Sequence, residues 1–326
     1  MRAVVTGAAG FVGSHLVEAL IARGDEVVCV ERPTASRRWI ERFPVEWHAV
    51  GLEDVNALTR ICNGAQVIYH LAGLTEAPHP RDFYAVNTMG TAQIVRAAAQ
   101  HNGSAPRVVL ASSIAALGPC RNGDRLAPDT VPFPISHYGE SKLLAEAVVH
   151  AHRDRVPATV LRFPSIYGPR ERAILTLFKL VRRGFALTIG RWDREVSLCY
   201  VTDAVQAFIA AGTRPGAAGR TYCVAHPEAV TWERFANAVG LALGRKPRLV
   251  SLPVPVAQGV AVVIELVAKL RRQAAIMNRE RVREMTQDRW VCDPSRAMTE
   301  LDIRPEFDVE RGITSTAAWY REQRWL

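Results

Sequence analysis

The run Thr6-Gly7-Ala8-Ala9-Gly10-Phe11-Val12-Gly13 constrains this chain more than any other feature. The apolar stretch Ala3-Val4-Val5 before it reads as a buried strand. Ser14-His15-Leu16-Val17-Glu18-Ala19-Leu20 after it carries apolar residues at helical spacing. Strand, glycine turn and helix together make a dinucleotide-binding arrangement. Gly7 permits the tight turn, Gly10 lets backbone approach a pyrophosphate, and Gly13 lets helix and strand pack closely. The helix N-terminus then faces the phosphates.

The first half of the chain repeats this alternation. Strands are predicted over residues 3–5, 26–30, 45–50, 67–70, 108–111 and 158–162, and helices over 12–22, 55–61, 80–101 and 137–149. Short buried strands alternating with helices imply an α/β fold, a Rossmann-type doubly wound parallel sheet covered on both faces. After Arg162 the pattern changes, with a loop through Phe163, Pro164 and Gly168. The chain is expected to rejoin the sheet over 200–211 and 221–224, with the Pro/Gly-rich residues 212–219 as a surface connection.

Composition narrows the function classes. A chain of 326 residues is long enough for a full core. Six cysteines, none at C-x-x-C spacing, read as buried free thiols in a reducing cytoplasm. The N-terminal apolar run is too short for a signal peptide, and no metal-ligand pattern is present. The net charge of +9 is partly local: Lys269, Arg271, Arg272, Arg279, Arg281, Arg283 and Arg289 stand against Glu280, Glu284 and Asp288. That run reads as a solvated basic face, with an anionic substrate or membrane surface as the alternative. Nothing in it suggests nucleic-acid binding.

A second motif lies far downstream. Tyr138 and Lys142, four apart, share one helix face, and Ser113 ends the predicted strand Arg107-Val108-Val109-Leu110-Ala111-Ser112-Ser113. With the glycine turn, His70-Leu71-Ala72-Gly73, Asn87 in Val86-Asn87-Thr88-Met89-Gly90-Thr91, Tyr167-Gly168-Pro169 and Tyr200-Val201-Thr202-Asp203-Ala204-Val205, the chain resembles the extended short-chain dehydrogenase/reductase family. The resemblance implies an NAD(P)-dependent enzyme with Ser113, Tyr138 and Lys142 as catalytic residues. It implies cofactor contacts from Gly7, Gly10, Phe11, Val12, Gly13, Glu31, Arg32, Leu52, Leu71, Ala72, Gly73, Tyr138, Lys142 and Pro164, and a helix-supporting role near the cofactor for Asn87. It places the nucleotide domain at about residues 1–165 plus 198–225 and a smaller, mostly C-terminal substrate-binding part at about 166–197 and 226–326. It also implies a homodimer paired through residues 80–101 and 137–149.

Glu31, at the end of the second strand, accepts hydrogen bonds from ribose hydroxyls and repels a 2′-phosphate, which favours NAD. Arg32, with Arg37 and Arg38 nearby, is the counter-signal for NADP. Many relatives carry an aspartate for the adenine amino group where this chain has Gly51, so that side-chain contact is absent unless Glu53 substitutes, and Leu52 offers backbone contacts.

Hydride transfer at a carbinol carbon requires a proton to move too. A free tyrosine, with a pKa near ~10, is a poor base at neutral pH. A lysine ammonium about 4 Å away supplies on the order of 4 kcal/mol at an effective dielectric of ~20, roughly three pKa units. Ser113 would hold the substrate oxygen.

The substrate is less legible. In nucleotide-sugar epimerases and dehydratases, which the chain also resembles, cations grip a diphosphate. Here Val196 stands where an arginine usually lies, Arg194 is two residues away, and Arg283 lacks its usual Gly-Asp neighbours. Residues 112–119 and 162–169 instead resemble the 3β-hydroxysteroid dehydrogenase and dihydroflavonol reductase branch, whose substrates are hydrophobic alcohols or ketones. A nucleotide-binding protein without catalysis is the third reading, and the intact Ser113, Tyr138 and Lys142 argue against it. Over 257–270 only Gln258, Glu265 and Lys269 are strongly polar, on one narrow stripe. Fourteen helical residues span about 21 Å, short of a bilayer core of roughly 30 Å. This helix is expected to line a hydrophobic pocket or pack in the core, with a peripheral membrane contact as the minority reading.

Overall fold

The apolar runs of the N-terminal half pair side by side into one parallel sheet. The computed structural model describes all residues except 102, 122, 272, 274 and 276. In chain order it runs β1 (Arg2–Thr6), α1 (Phe11–Ala22), β2 (Glu26–Glu31), β3 (Glu46–Ala49), α2 (Val55–Cys62), β4 (Val67–His70), α3 (Pro80–Phe83), a π-helical stretch (Tyr84–Met89), α4 (Gly90–Ala99), β5 (Arg107–Ser113), α5 (His137–Ala151) and β6 (Ala158–Phe163). It continues with β7 (Ser165–Tyr167), α6 (Leu175–Arg182), β8 (Phe185–Ile189), β9 (Glu195–Val196), β10 (Leu198–Tyr200), α7 (Val201–Thr213) and β11 (Thr221–Cys223). The remainder is β12 (Val230–Thr231), α8 (Trp232–Leu243), β13 (Arg248–Leu252), α9 (Val254–Arg271), α10 (Arg279–Met285), β14 (Arg289–Trp290), α11 (Ser295–Glu300) and α12 (Val309–Glu322).

The seven-stranded sheet has the order β11-β6-β5-β4-β1-β2-β3, and its paired strands are parallel. Leu16, Val17 and Leu20 of α1 pack on one face with Ala204 and Phe208 of α7. Leu58 of α2, Ile94 and Val95 of α4, and Ala145 and Val149 of α5 pack on the other. This is the doubly wound arrangement, and the strand order reverses between β4 and β1. Ligands of such sheets bind there, beyond the carboxyl ends of the strands. The second half builds short sheets (β7 with β10; β9 with β12 and β14; β8 with β13) around a separate core of Phe178, Val196, Phe235 and Tyr320.

Two elements depart from the sequence reading. Residues 80–101 are not one helix. The π-helical stretch interrupts them at Asn87, a feature often found at functional sites. And α9 is mostly exposed, not the buried core or pocket helix expected. Of its residues only Ala257 and Ala261 are buried, because it meets the body along one narrow seam of small side chains. Among the described residues no helix is long and apolar enough to cross a membrane.

Burial of charge fixes α5 against the sheet. Glu146 of α5 and Arg162 of β6 are almost fully buried and lie 2.7 Å apart. Ser112 donates to the same carboxylate at 2.5 Å, and Arg162 also donates to the carbonyl of Pro128 at 2.9 Å. Removing one partner strands a buried charge. Glu146→Ala should therefore cost about 3–5 kcal/mol, whereas replacing both partners by apolar residues of similar volume should cost far less. Urea unfolding of the single and double variants checks this, and equal losses in the two would contradict it.

Candidate active site

The glycine turn follows from two close approaches. Gly7 has φ +72°, and a Cβ there would lie 2.7 Å from the amide nitrogen of Ala72. A Cβ on Gly13 would collide with the carbonyl of Gly7. The turn is thus pressed between the ends of β1 and β4 with α1 directly on it. A Cβ on Gly10 would meet only the Gly7 carbonyl, at 3.1 Å, so its other side is open. No side chain caps the N-terminus of α1, and no acid stands in its first turn, which leaves its amide groups free for an anion. This cradle fits a dinucleotide pyrophosphate. Phe11 and Val12 open α1 beside it, and Leu71, Ala72 and Gly73 follow β4 on its other side.

At the end of β2 the Glu31 carboxylate accepts from the Ala9 amide at 2.7 Å, and burial raises its pKa. Arg32 is exposed. Arg37 and Arg38 are both engaged by aromatic rings. Each stacks on an indole, Arg37 at 4.2 Å from the Trp47 ring centre and Arg38 at 4.5 Å from Trp39. The Glu53 carboxylate stands where a side chain on Gly51 would project. Leu52 packs over Gly90, where a Cβ would collide with it. Pro164 is buried directly after β6, next to Phe163, the residue in register with Ser113.

The catalytic candidates converge on the carboxyl end of β5. Ser136 caps α5, accepting from the Gly139 amide at 3.1 Å. Gly139 lets the helix close on the turn after β5, since a Cβ there would collide with the Ala115 carbonyl. That approach brings the Tyr138 phenol near the Ser113 hydroxyl. One turn on, the buried Lys142 donates to the Ala111 carbonyl at 2.9 Å. Asn87 ties the region together: it accepts from the Leu74 amide at 2.7 Å and donates to the Leu74 carbonyl and the Ser141 hydroxyl. Gly73 leaves the room, as a Cβ there would lie 3.0 Å from Asn87 Oδ1 and 3.1 Å from Lys142 Nζ.

The electrostatics differ from the sequence expectation. Burial raises the Tyr138 phenol above its ordinary value, and the Glu284 carboxylate adds to that. The Ser113 hydrogen bond and the Arg281 charge oppose it without prevailing. Burial lowers Lys142 to about 8, against the pull of Glu146. His70, between the hydroxyls of Thr6 and Thr91, is lowered to about 3 by burial and the nearby Lys142, so it stays neutral.

Sequence reasoning missed the roof of this site. α10 packs on the start of α5: Glu284 accepts from Ser136 at 2.5 Å, Glu280 accepts from the His137 amide at 3.2 Å, and Arg281 approaches Glu76 at 3.8 Å. These contacts join residues far apart in the chain, and no local spacing signals them. Glu146 did carry a signal: it follows Lys142 by one turn, and Arg162 is a lone charge inside a buried strand. On the substrate side, Arg194 is buried and donates to the carbonyls of Ile189 and Met285, while Val196 lies in the core. Arg283 is exposed, with an N–H 3.4 Å from the Ile135 carbonyl.

The model of the NAD dependent epimerase/dehydratase family matches residues 3–225. The chain belongs to that family. Family members are NAD-dependent enzymes, and NAD is the cofactor. A ceramide reductase of Caulobacter vibrioides is 29% identical over 323 residues, covering 99% of this chain and 95% of that protein. A probable UDP-glucuronate 4-epimerase of Rhizobium meliloti is 27% identical over 348 residues, covering 98% and 97%. The solved UDP-glucose 4-epimerase of Thermus thermophilus, in complex with NAD, superposes with a TM-score of 0.80 over 98% of this chain and 99% of that one. At 24% identity that likeness shows the fold. Reductase and epimerase relatives thus stand side by side, and the steroid branch is not singled out.

The lowered pKa of Lys142 has a stability consequence. Its folded value, about 8, lies below the unfolded one, so the cost of burying the ammonium is absent above the unfolded pKa, grows as pH falls from there towards 8, and is fully present below 8. Lys142→Met should therefore stabilise the free protein by about 1–3 kcal/mol near neutral pH, and the gain should vanish above roughly pH 10.5. Urea melts at both pH values check this. A variant less stable than wild type at neutral pH would contradict it.

Proposed function

We propose that this protein is an oxidoreductase that uses NAD to interconvert a hydrophobic secondary alcohol and its ketone. The observation that carries the reading is the state of the two positions beside β9. Arg194 is buried, with Nη1 on the carbonyls of Ile189 and Met285 and Nε 3.7 Å from the Asp288 carboxylate, and Val196 is buried in the core, so neither side chain is presented to a diphosphate. Similarity to a ceramide reductase along nearly the whole of both chains supports it.

In this reading Tyr138 takes the proton of the substrate hydroxyl and Ser113 donates a hydrogen bond to the same oxygen. Bound NAD supplies the hydride acceptor at its nicotinamide ring. Lys142 holds the nicotinamide ribose and offsets the charge of the phenolate. Phe83, whose ring meets Tyr138 edge-on at 6.0 Å, keeps the phenol from swinging. Asn87 positions the loop after β4. Glu31 accepts from the adenosine ribose hydroxyls and disfavours a 2′-phosphate, and the stacking of Arg37 and Arg38 supports NAD over NADP. The Glu53 carboxylate takes the place of the aspartate that Gly51 lacks. The protein works as a homodimer through residues 80–101 and 137–149, where Met89 of the π-helical stretch and Leu144 of α5 are exposed.

A second reading, a nucleotide-sugar epimerase, is favoured by the exposed Arg283 at the mouth of the cleft and by the epimerase relatives. Cofactor bookkeeping separates the two, because an oxidoreductase changes the amount of reduced nicotinamide while an epimerase restores it within each turnover. Sterol-like and long-chain secondary alcohols should give net NADH, with NAD preferred to NADP. Tyr138→Phe should lose at least about 100-fold in turnover. Isomerisation of UDP-glucose or UDP-glucuronate with no net NADH would overturn the oxidoreductase reading.

A further inference from the structure

One surface is unlike the rest of the molecule. α9 meets the body through Ala257 and Ala261, which cluster with Ile189 and with Val282 of α10. On the opposite side of the helix Val256, Val260, Val263, Leu266, Val267 and Leu270 point into solvent, with Val263 and Leu266 each 59% exposed and Leu270 86%. Eighteen helical residues extend about 27 Å, so this is a long apolar ridge. Scattered exposed aliphatic residues are ordinary, but a contiguous row of them marks an interaction site.

The ridge continues onto the β8–β13 ribbon. In its parallel register Leu187 pairs with Val250 and Ile189 with Leu252, so Phe185, Leu187, Ile189 and Val250 share one face. α9 covers the Ile189 end of that face. Its outer side and the exposed Phe185 and Leu187, each 50% accessible, therefore point the same way.

Cations flank the apolar surface at both ends. Arg182 and Arg183 precede β8, while Arg245, Lys246 and Arg248 lie at the start of β13, at the same end of the ribbon because the strands are parallel. Lys269 and Arg271 stand at the far end of α9. All seven are exposed and, among the described residues, none pairs with a carboxylate, whereas Arg279 and Arg281 are engaged with Glu265 and Glu76. An apolar ridge between two sets of uncompensated cations is complementary to a bilayer surface with anionic headgroups. The side chains enter the acyl boundary and the cations meet the phosphates.

We propose that α9 and the β8–β13 face dock this protein, lying flat, on anionic membrane. α10 follows α9, packs on it through Val282 and roofs Tyr138, so the docked surface adjoins the mouth of the cleft. Docking itself stands on the exposed surface alone. Delivery of a hydrophobic substrate from the bilayer to Tyr138 rests in addition on the oxidoreductase reading.

The test is co-flotation of the full chain with vesicles of phosphatidylcholine containing about 30 mol% phosphatidylglycerol, against pure phosphatidylcholine. Wild type should bind the anionic vesicles and release at high salt. Val263→Ser/Leu266→Ser and Lys269→Glu/Arg271→Glu should each weaken binding about tenfold or more, with unchanged melting curves and solution mass. No binding by wild type, or equal binding by all three proteins, would overturn the proposal. So would a drop in solution mass in the Val263→Ser/Leu266→Ser variant, which would assign the face to a second copy of the chain. Flotation reads no turnover: a protein that binds vesicles yet isomerises UDP-sugars overturns the oxidoreductase reading alone.

Discussion

The site depends on one buried ammonium. Lys142 is driven under the carboxyl edge of β5 by the packing of α5 on the sheet, and its tip is held by the Ala111 carbonyl. Three features make that position tenable. Gly73 and Asn87 leave space around Nζ. Glu146 lowers the cost of the charge. The Glu146–Arg162 pair locks α5 to β6, so the lysine cannot withdraw with its helix. Tyr138, one turn earlier, inherits its place from the same docking through Gly139. The protein thus keeps a destabilising charge where a nicotinamide ribose would lie, a conflict between local stability and consistent packing of the kind found at functional sites.

Much of this was legible from residues alone. The glycine turn and the alternating apolar runs specify β1, α1 and the parallel sheet, since each demands a local conformation that only a buried strand or a tight turn satisfies. Ser113, Tyr138 and Lys142 do meet at one strand end. What was not legible came from chain segments distant in sequence. Glu284 and Arg281 act on Tyr138 from α10, and burial with the Glu284 charge reversed the expected direction of the tyrosine pKa in the free protein. Arg194 stood two residues from the expected diphosphate position, and the fold buries it, with Nη1 on the carbonyls of Ile189 and Met285 and Nε near Asp288. The exposure of α9 was equally hidden. Its composition reads as a core helix, and only the narrow seam through Ala257 and Ala261 shows that the apolar ridge faces outward.

These surprises bear on the same question. The two positions at β9, Arg194 and Val196, are buried in the structure while Arg283 stays exposed, and a ridge of apolar surface stands beside the roof of the cleft. Both observations fit a substrate with more hydrocarbon than charge. The family relation to epimerases accounts for the shared fold.

The free protein holds the Tyr138 phenol above its ordinary value, so the proposed proton transfer requires the bound cofactor to lower it. Ultraviolet difference titration of tyrosinate, wild type minus Tyr138→Phe, reads this group directly with and without saturating NAD. The account predicts ionisation above the ordinary tyrosine value in the free protein and a downward shift on NAD binding, as the positive nicotinamide ring favours phenolate. A difference titration unchanged by NAD would contradict it.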